Sequence, residues 1–327
     1  MAAGEKMPGQ KKRKREYIAG LAQLNFTIEF DWSKEEAKAM YDTAVPKVEK
    51  DTILYEDCIA GMNKMPEESV DLIIADPPFG IEFSGKGSQY NRKPDLVEEG
   101  YVEIGEEYST FTEKWVKCLS RIMKPAASAY LLSGWTNLND LLNAIKQTNL
   151  ILVNHIIWKY QFGVFTKRKF VSSHYHVLFL VKNENDYFFN KCEQYAEDVW
   201  IIPRNYMPGQ KKNGTKLPED LIIKCINFSS RPGDIIFDPF MGNATTAVCA
   251  KGLYRHYHGF ELNEKMKGIH EENLGSVKAG AFYKPLKEYL PSVEELVEKY
   301  PHLKKLVQKG ATNTKKDATA LDSFLQK

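Results

Sequence analysis

The chain is short of cysteine, of excess charge of either sign and of long apolar runs, and each shortage excludes something. Its five cysteines, at 58, 118, 192, 225 and 249, are scattered and form no CxxC pair. That excludes a disulfide framework and a zinc-ribbon spacing, so no metal is expected and a reducing compartment is. Lys plus Arg (45) nearly cancels Asp plus Glu (43). Attraction to a polyanion therefore has to come from local clusters and not from bulk charge. No apolar run approaches a membrane span of about 18 residues. The basic N-terminus has no hydrophobic stretch behind it, so a soluble intracellular protein is expected, cytoplasmic or, in a eukaryote, nuclear, with no membrane partner.

What is present is enough apolar material, 43% of 327 residues, to bury a full α/β core. Strands are predicted near 52–55, 70–75, 127–132, 153–158, 177–181, 234–238 and 255–260. Helices near 110–123, 137–147, 218–228 and 246–251 alternate with them, which implies a mostly parallel sheet covered on both faces. Ser33 and Glu36 have the spacing of a capping box at the head of a further short helix. The expected division is a basic arm plus short helix over 1–45, a catalytic domain over 46–282, and a C-terminal helix and tail over 283–327. Within the catalytic domain, 83–107 reads as a Gly-containing substrate loop and 182–215 as a small recognition insert.

The most informative stretch runs Val70-Asp71-Leu72-Ile73-Ile74-Ala75-Asp76-Pro77-Pro78-Phe79-Gly80. An apolar strand passes straight into a carboxylate, two prolines and a ring. Both prolines fix φ and lack an N–H, so the turn is stiff and its carbonyls stay out of any helix. Asp76 and the Pro77 carbonyl can accept hydrogen bonds from an NH2 group, and Phe79 can stack on a planar base, a contact worth about 1–3 kcal/mol.

The second informative stretch, Arg231 to Ala247, reads as a Pro-Gly turn, a short apolar strand, a bend of small residues and a helix start. In such an arrangement exposed N–H groups and the helix dipole receive a polar ligand. About twenty residues past Gly242, Glu261 ends the next predicted strand at the spacing of a ribose-binding carboxylate.

Together these segments resemble the β-class S-adenosylmethionine-dependent amino-methyltransferases that modify adenine N6 or cytosine N4. Asp76-Pro77-Pro78-Phe79 matches the family's catalytic signature. Asp238 to Thr246 matches its cofactor signature, with Ala244 standing where the family has a second glycine. The catalytic segment precedes the cofactor segment, the permuted order of the β-class. The resemblance implies a Rossmann-like S-adenosylmethionine-dependent methyltransferase fold with a seven-stranded sheet and helices on both faces. S-adenosyl-L-methionine is the implied cofactor, with DNA the first partner and RNA the second, and a homodimer or heterodimer as assembly. It also implies catalytic roles for Asp76, Pro77, Pro78 and Phe79. Cofactor contacts are implied for Asp57, Cys58, Lys216, Asp238, Phe240, Gly242, Asn243, Ala244, Thr245 and Glu261. The target leans to adenine N6, because Asp heads the catalytic motif. Cytosine N4 in DNA or ribosomal RNA, and a non-catalytic nucleic-acid-binding subunit, are the alternatives.

Local basic clusters supply candidate nucleic-acid contacts. Lys11, Lys12 and Arg13 lie in the N-terminal tail. Lys159, Lys167, Arg168 and Lys169 are interleaved with Trp158, Tyr160, Phe162, Phe165 and Phe170, which suits phosphate neutralisation combined with stacking. His174 with His176, and His256 with His258, sit two apart on predicted strands. With no acidic or cysteine partner at ligand spacing, they read as core or surface histidines.

Overall fold

The structure, a computed structural model, describes residues 28–78, 107–161, 163, 166–193, 196–204, 216–289, 293–299, 301 and 304. Phe79, residues 83–106 of the expected substrate loop, Lys11, Lys12, Arg13, Phe162 and Phe165 lie outside them.

The chain divides into two units. The larger, residues 32–190 and 197–284, holds the sheet. Its strands are β1 (Thr52–Leu54), β2 (Val70–Ala75), β3 (Met123–Ser133), β4 (Ile151–Lys159), β5 (His174–Val181), β6 (Val199–Ile201), β7 (Ile235–Asp238) and β8 (His256–Phe260). They lie in the order β1-β8-β7-β2-β3-β5-β4-β6. Among these described strands, β5 alone runs against the rest, antiparallel to both β3 and β4. The other pairings are parallel. The carboxyl ends of the remaining strands therefore share one edge.

Over the described residues the sheet thus has eight strands where the sequence predicted seven. The eighth, β6, lies inside the supposed recognition insert and pairs with β4 from Ile157↔Val199 to Lys159↔Ile201. Three residues are too few to show a period, and that is why the pattern missed it.

From Leu72 to Ala75 β2 is buried on both faces, hence the apolar run there. Ile73 and Ala75 pack into a cluster with Met62, Trp115, Leu119 and Ile122, under the helices α2 (Cys58–Lys64) and α3 (Tyr108–Ile122) and, beside them, α4 (Leu138–Lys146). Leu72 and Ile74 point the other way, into a cluster with α5 (Glu219–Ser229), α6 (Thr245–Gly252) and the rings of Tyr130, Trp158 and Trp200. The period of two along one strand, with a helix layer on each side, produces the three-layer sandwich.

α1 (Lys34–Thr43) carries the capping box, with Ser33 N–H donating to Glu36 at 2.8 Å and Glu36 N–H to Ser33 Oγ at 3.2 Å. It belongs to the sheet unit, not to the arm with which the sequence grouped it. Tyr41 stacks on His256 with ring centroids 4.0 Å apart, and the Tyr41 carbonyl takes the His256 Nε2 hydrogen bond at 2.9 Å. Close approach fixes Gly259 on β8, because a Cβ there would stand 2.3 Å from the Asp238 carbonyl oxygen on β7. After β8 come a 3-10 turn and α7 (Lys267–Gly275).

The smaller unit comprises residues 1–31, 191–196 and 285–327. Among its described residues, Asp31 accepts the Leu286 N–H at 2.6 Å, and α8 (Val293–Lys299) follows the 3-10 turn Leu286–Tyr289.

Candidate active site

β2 and β7 are neighbours, with Leu72 opposite Ile236 and Ile73 opposite Phe237. From β2 the chain crosses toward β3, and from β7 toward β8, on the other side. The crevice at their carboxyl ends is thus a topological switch point, where open α/β sheets receive ligands. Asp76 immediately follows one strand there and Asp238 ends the other. The two sequence signatures, more than 150 residues apart, meet as adjacent strand ends.

Asp76 is half-buried and Pro77 buried. Burial, and then the neighbouring Asp238 carboxylate, push the Asp76 carboxyl up to about 7, while the Arg204 guanidinium pulls it partly back. Burial likewise pushes Asp238 up to about 6, against hydrogen bonds from Thr246 and the Phe240 N–H. Those bonds measure 2.6 Å from Thr246 Oγ1 and 2.9 Å from Phe240 N. Asp238 therefore spends both oxygens on shaping its own loop. Phe240 turns inward, edge-on to Trp115 at 5.3 Å and tilted against Phe111 at 6.1 Å, so it anchors the loop to α3.

The bend that follows uses two left-handed residues, Gly242 at φ 51° and Ala244 at φ 60°. Ala244 is the residue that departs from the family's glycine, and its backbone adopts the conformation a glycine would favour, at a cost of about 1–2 kcal/mol. It is the N-cap residue of α6 and makes no side-chain cap hydrogen bond, so no cap side chain covers the first-turn N–H groups of that helix.

Glu261, just past β8, closes the far side. Its Oε2 accepts the Gly242 N–H and its Oε1 the Asn263 N–H, both at 2.8 Å. Burial raises its carboxyl from the ordinary value. Beside β8, the carboxyl end of β1 carries Asp57, an exposed residue whose Oδ1 caps α2 through the Ala60 N–H at 2.8 Å. Cys58 is buried and its thiol pushed up by burial, so it is no nucleophile. Asn243, with its carbonyl held by Asn273 Nδ2 at 3.0 Å, and Thr245, 6% exposed, complete the bend. Lys216 precedes α5 and pairs with Glu219 at 3.2 Å on the surface.

Two functional neighbours carried no signal in the sequence. Buried His270 on α7 bonds the Gly242 carbonyl through Nε2 at 2.7 Å and the Tyr55 hydroxyl through Nδ1 at 2.9 Å. A carbonyl accepts only, so Nε2 carries the proton and, in a neutral ring, Nδ1 accepts from Tyr55. The cofactor-side bend is thereby tied to the β1 loop. Arg204, two residues past Ile202, sits over the rings of Tyr160 at 4.4 Å, Tyr175 at 4.9 Å and Trp158 at 5.2 Å.

The aromatic-basic cluster divides in two. Trp158 and Tyr160 are buried, whereas Lys167, Arg168, Lys169 and Phe170 are exposed in the β4–β5 connection on the carboxyl edge. Lys159 ends β4 and donates to the Tyr160 carbonyl at 2.8 Å. Exposed Trp135, following β3, stands on that edge as well. The histidines are structural. His256 is held by Asp51 at 2.8 Å, His258 by the Glu49 carbonyl at 2.8 Å, and His176 by His155 at 2.7 Å.

Residues 70–272 match the DNA methylase family of N6/N4 methyltransferases. The type II methyltransferase M.HinfI of Haemophilus influenzae is 30% identical over 256 residues, 69% of this chain and 69% of its own. The DNA adenine methyltransferase YhdJ of Escherichia coli is 28% identical over 247 residues, 66% of this chain and 80% of its own. In fold, the chain resembles M1.HpyAVI, solved in complex with SAM (TM-score 0.52, 20% identity, 68% of this chain and 98% of that one). It equally resembles the cytosine-N4-specific PvuII DNA methyltransferase (TM-score 0.52, 16% identity, 74% and 99%). A three-layer sheet with the catalytic turn and a Gly-containing bend at one switch point defines the class. The chain belongs to the N6/N4 DNA methylase family of S-adenosylmethionine-dependent amino-methyltransferases.

The crevice fits that cofactor. The uncapped start of α6 suits its carboxylate, and the carboxylates at the ends of β8 and β1 suit its ribose hydroxyls and adenine amine.

Proposed function

We propose that the protein transfers a methyl group to the exocyclic amine of a base in DNA, and that the base is adenine, modified at N6. The observation that carries the reading is the adjacency of Asp76 and Asp238 at the β2/β7 switch point. It brings the amine-binding turn beside the cofactor bend. Asp at the head of the motif, and the 28% identity to an adenine enzyme, support adenine.

The bound cofactor supplies an electrophilic methyl on a sulfonium. The chain's own residues do the rest. A base amine cannot be reached inside a duplex, so the nucleotide leaves its stack for the crevice. Ionised Asp76 and the Pro77 carbonyl accept the two amine hydrogens and draw the nitrogen lone pair out of conjugation with the ring. They then stabilise the positive charge that builds on nitrogen as the N–C bond forms and the S–C bond breaks. A carboxylate whose pKa stands at about 7 is matched to receive the departing proton near neutral pH. Glu261, Asp57 and the bend Gly242-Asn243-Ala244-Thr245 are assigned to the cofactor. Phe240 and Asp238 are assigned to shaping that bend. Phe79 is assigned to stacking, and Lys159, Lys167, Arg168 and Lys169 to the phosphates.

The test is to incubate the protein with labelled cofactor and with duplex DNA, single-stranded DNA and ribosomal RNA, then digest and identify the modified nucleoside by mass spectrometry. N6-methyladenine from DNA is expected. N4-methylcytosine would overturn the base assignment, label in RNA alone the partner, and no transfer to any of the three the activity.

A further inference from the structure

Three peptide groups of the bend between β7 and α6 are held by side chains from outside it. The Gly242 N–H donates to Glu261 Oε2 at 2.8 Å, the Gly242 carbonyl accepts from His270 Nε2 at 2.7 Å, and the Asn243 carbonyl accepts from Asn273 Nδ2 at 3.0 Å. Both carbonyl grips come from one helix. His270 and Asn273 stand three positions apart on α7, the spacing that puts two side chains on one face. In a trans peptide the C=O and the following N–H point opposite ways. With the Gly242 carbonyl turned onto α7, the Asn243 N–H is therefore turned away from it. With the Asn243 carbonyl held likewise, the Ala244 N–H closes onto the Met241 carbonyl at 2.8 Å. The two left-handed residues, Gly242 and Ala244, flank the peptides that α7 holds.

His270 also reaches a second loop. Its Nδ1 meets the Tyr55 hydroxyl at 2.9 Å, and the two rings stack 20° apart in plane with centroids 5.7 Å apart. Tyr55 directly follows β1 and stands two residues before Asp57. The His270 side chain belongs to a residue only 1% exposed, so a Gly242 carbonyl deprived of it has little water to turn to. α7 has anchors of its own. Lys251 on α6 donates to the Leu274 carbonyl at 2.8 Å, and Met266, just before α7, is buried.

We propose that His270 is a positioning residue for the cofactor, one buried ring that ties the bend at the start of α6 to the β1 exit and so sets the spacing between the two ends of the cradle. Asn273 supports it at the next carbonyl. The proposal rests on the reading of the bend and of Asp57 as cofactor contacts. It adds α7, a helix outside both sequence signatures, to the determinants of cofactor affinity.

The test separates affinity from chemistry. Calorimetry with S-adenosylmethionine, and kcat and KM for that cofactor in methyl transfer to DNA, are compared in the wild type, His270→Phe, His270→Gln, Tyr55→Phe and Asn273→Ala. His270→Phe keeps a ring against Tyr55 and removes the donor to Gly242. It is expected to raise Kd and KM by about tenfold, with kcat at saturating cofactor falling no more than about twofold. His270→Gln, whose amide nitrogen can stand where the imidazole Nε2 stood, should return to within about threefold of wild type. Tyr55→Phe and Asn273→Ala should each raise Kd by about threefold. An unchanged Kd in His270→Phe, or equal losses in His270→Phe and His270→Gln, overturns the positioning role. So does a fall in kcat with Kd unmoved. If His270→Phe does not fold, an unchanged Kd in both Tyr55→Phe and Asn273→Ala overturns it instead. The expected affinity pattern with no methyl transfer to any acceptor supports the positioning role and sinks the proposed activity.

Discussion

Asp76 and Asp238 stand at the carboxyl ends of two adjacent parallel strands, and the carboxylate of Asp238 raises the pKa of Asp76 across the crevice. An acid that disfavours the ionisation of its neighbour is held beside it. Asp238 is tied up by Thr246 and the Phe240 N–H, and the proposed amine-binding role therefore falls to Asp76.

Asp76→Ala is expected to lower kcat by about 10²–10⁴-fold, the range for losing a positioned acceptor and proton acceptor together. Calorimetry should find cofactor affinity within a factor of about three of wild type, since the proposed role of Asp76 is to hold the base. A variant that loses cofactor binding in parallel with activity would place Asp76 on the wrong ligand.

Stability should carry the signature of the buried acids. Folding raises Asp76 to about 7 and Asp238 to about 6, from about 3.9 in the unfolded chain. Between those limits the folded state holds more protons, so these groups make stability fall as pH rises from about 4 to about 7. His176 acts in the opposite sense. Burial, then His155 and His174, lower it to about 4, so the unfolded chain protonates first and stability falls as pH drops from about 6.5 to about 4. The difference in thermal midpoint between Asp76→Ala and wild type isolates the first effect. It should grow in the variant's favour by a few degrees between pH 5 and pH 8, and parallel curves would contradict the assigned titration.

Ala244→Gly should relieve the left-handed backbone. The penalty of about 1–2 kcal/mol outweighs the about 0.8 kcal/mol given up with one buried methyl. Urea unfolding is expected to show a change between neutral and about 1 kcal/mol stabilising. Ala244→Val, β-branched at the same positive φ, should cost about 2 kcal/mol or more.

Replacing Lys167, Arg168 and Lys169 by Gln should weaken DNA binding at low salt and flatten the plot of log affinity against log salt by about 0.9 for each phosphate no longer neutralised. Methylation of a saturating substrate should change much less. An unchanged salt slope would remove this loop from the interface.

The parts of the fold legible in the sequence are those where one residue run carries the whole signal. β2 and β7 are buried on both faces, so their short apolar runs stand out, and Asp76 immediately follows the first while Asp238 ends the second. The Ser33–Glu36 cap is local and legible for that reason. β6 is not, being three residues long and recognisable only by its pairing with β4. The Arg204 cage joins residues separated by more than 28 positions and has no short motif. His270 reaches Tyr55 across 215 positions, a relation that exists only after α7 docks. Phe240 reads as a ligand contact because it lies inside the cofactor motif. Its ring instead packs on Trp115, a choice made by the core and invisible in the motif.

The double grip of Glu261 on Gly242 and Asn263, together with the hold of His270 on Gly242, means that the crevice is stitched from three sides by the chain itself. A methyl donor bound at that bend, as proposed, would find Gly242 already held and would spend little of its affinity on ordering it.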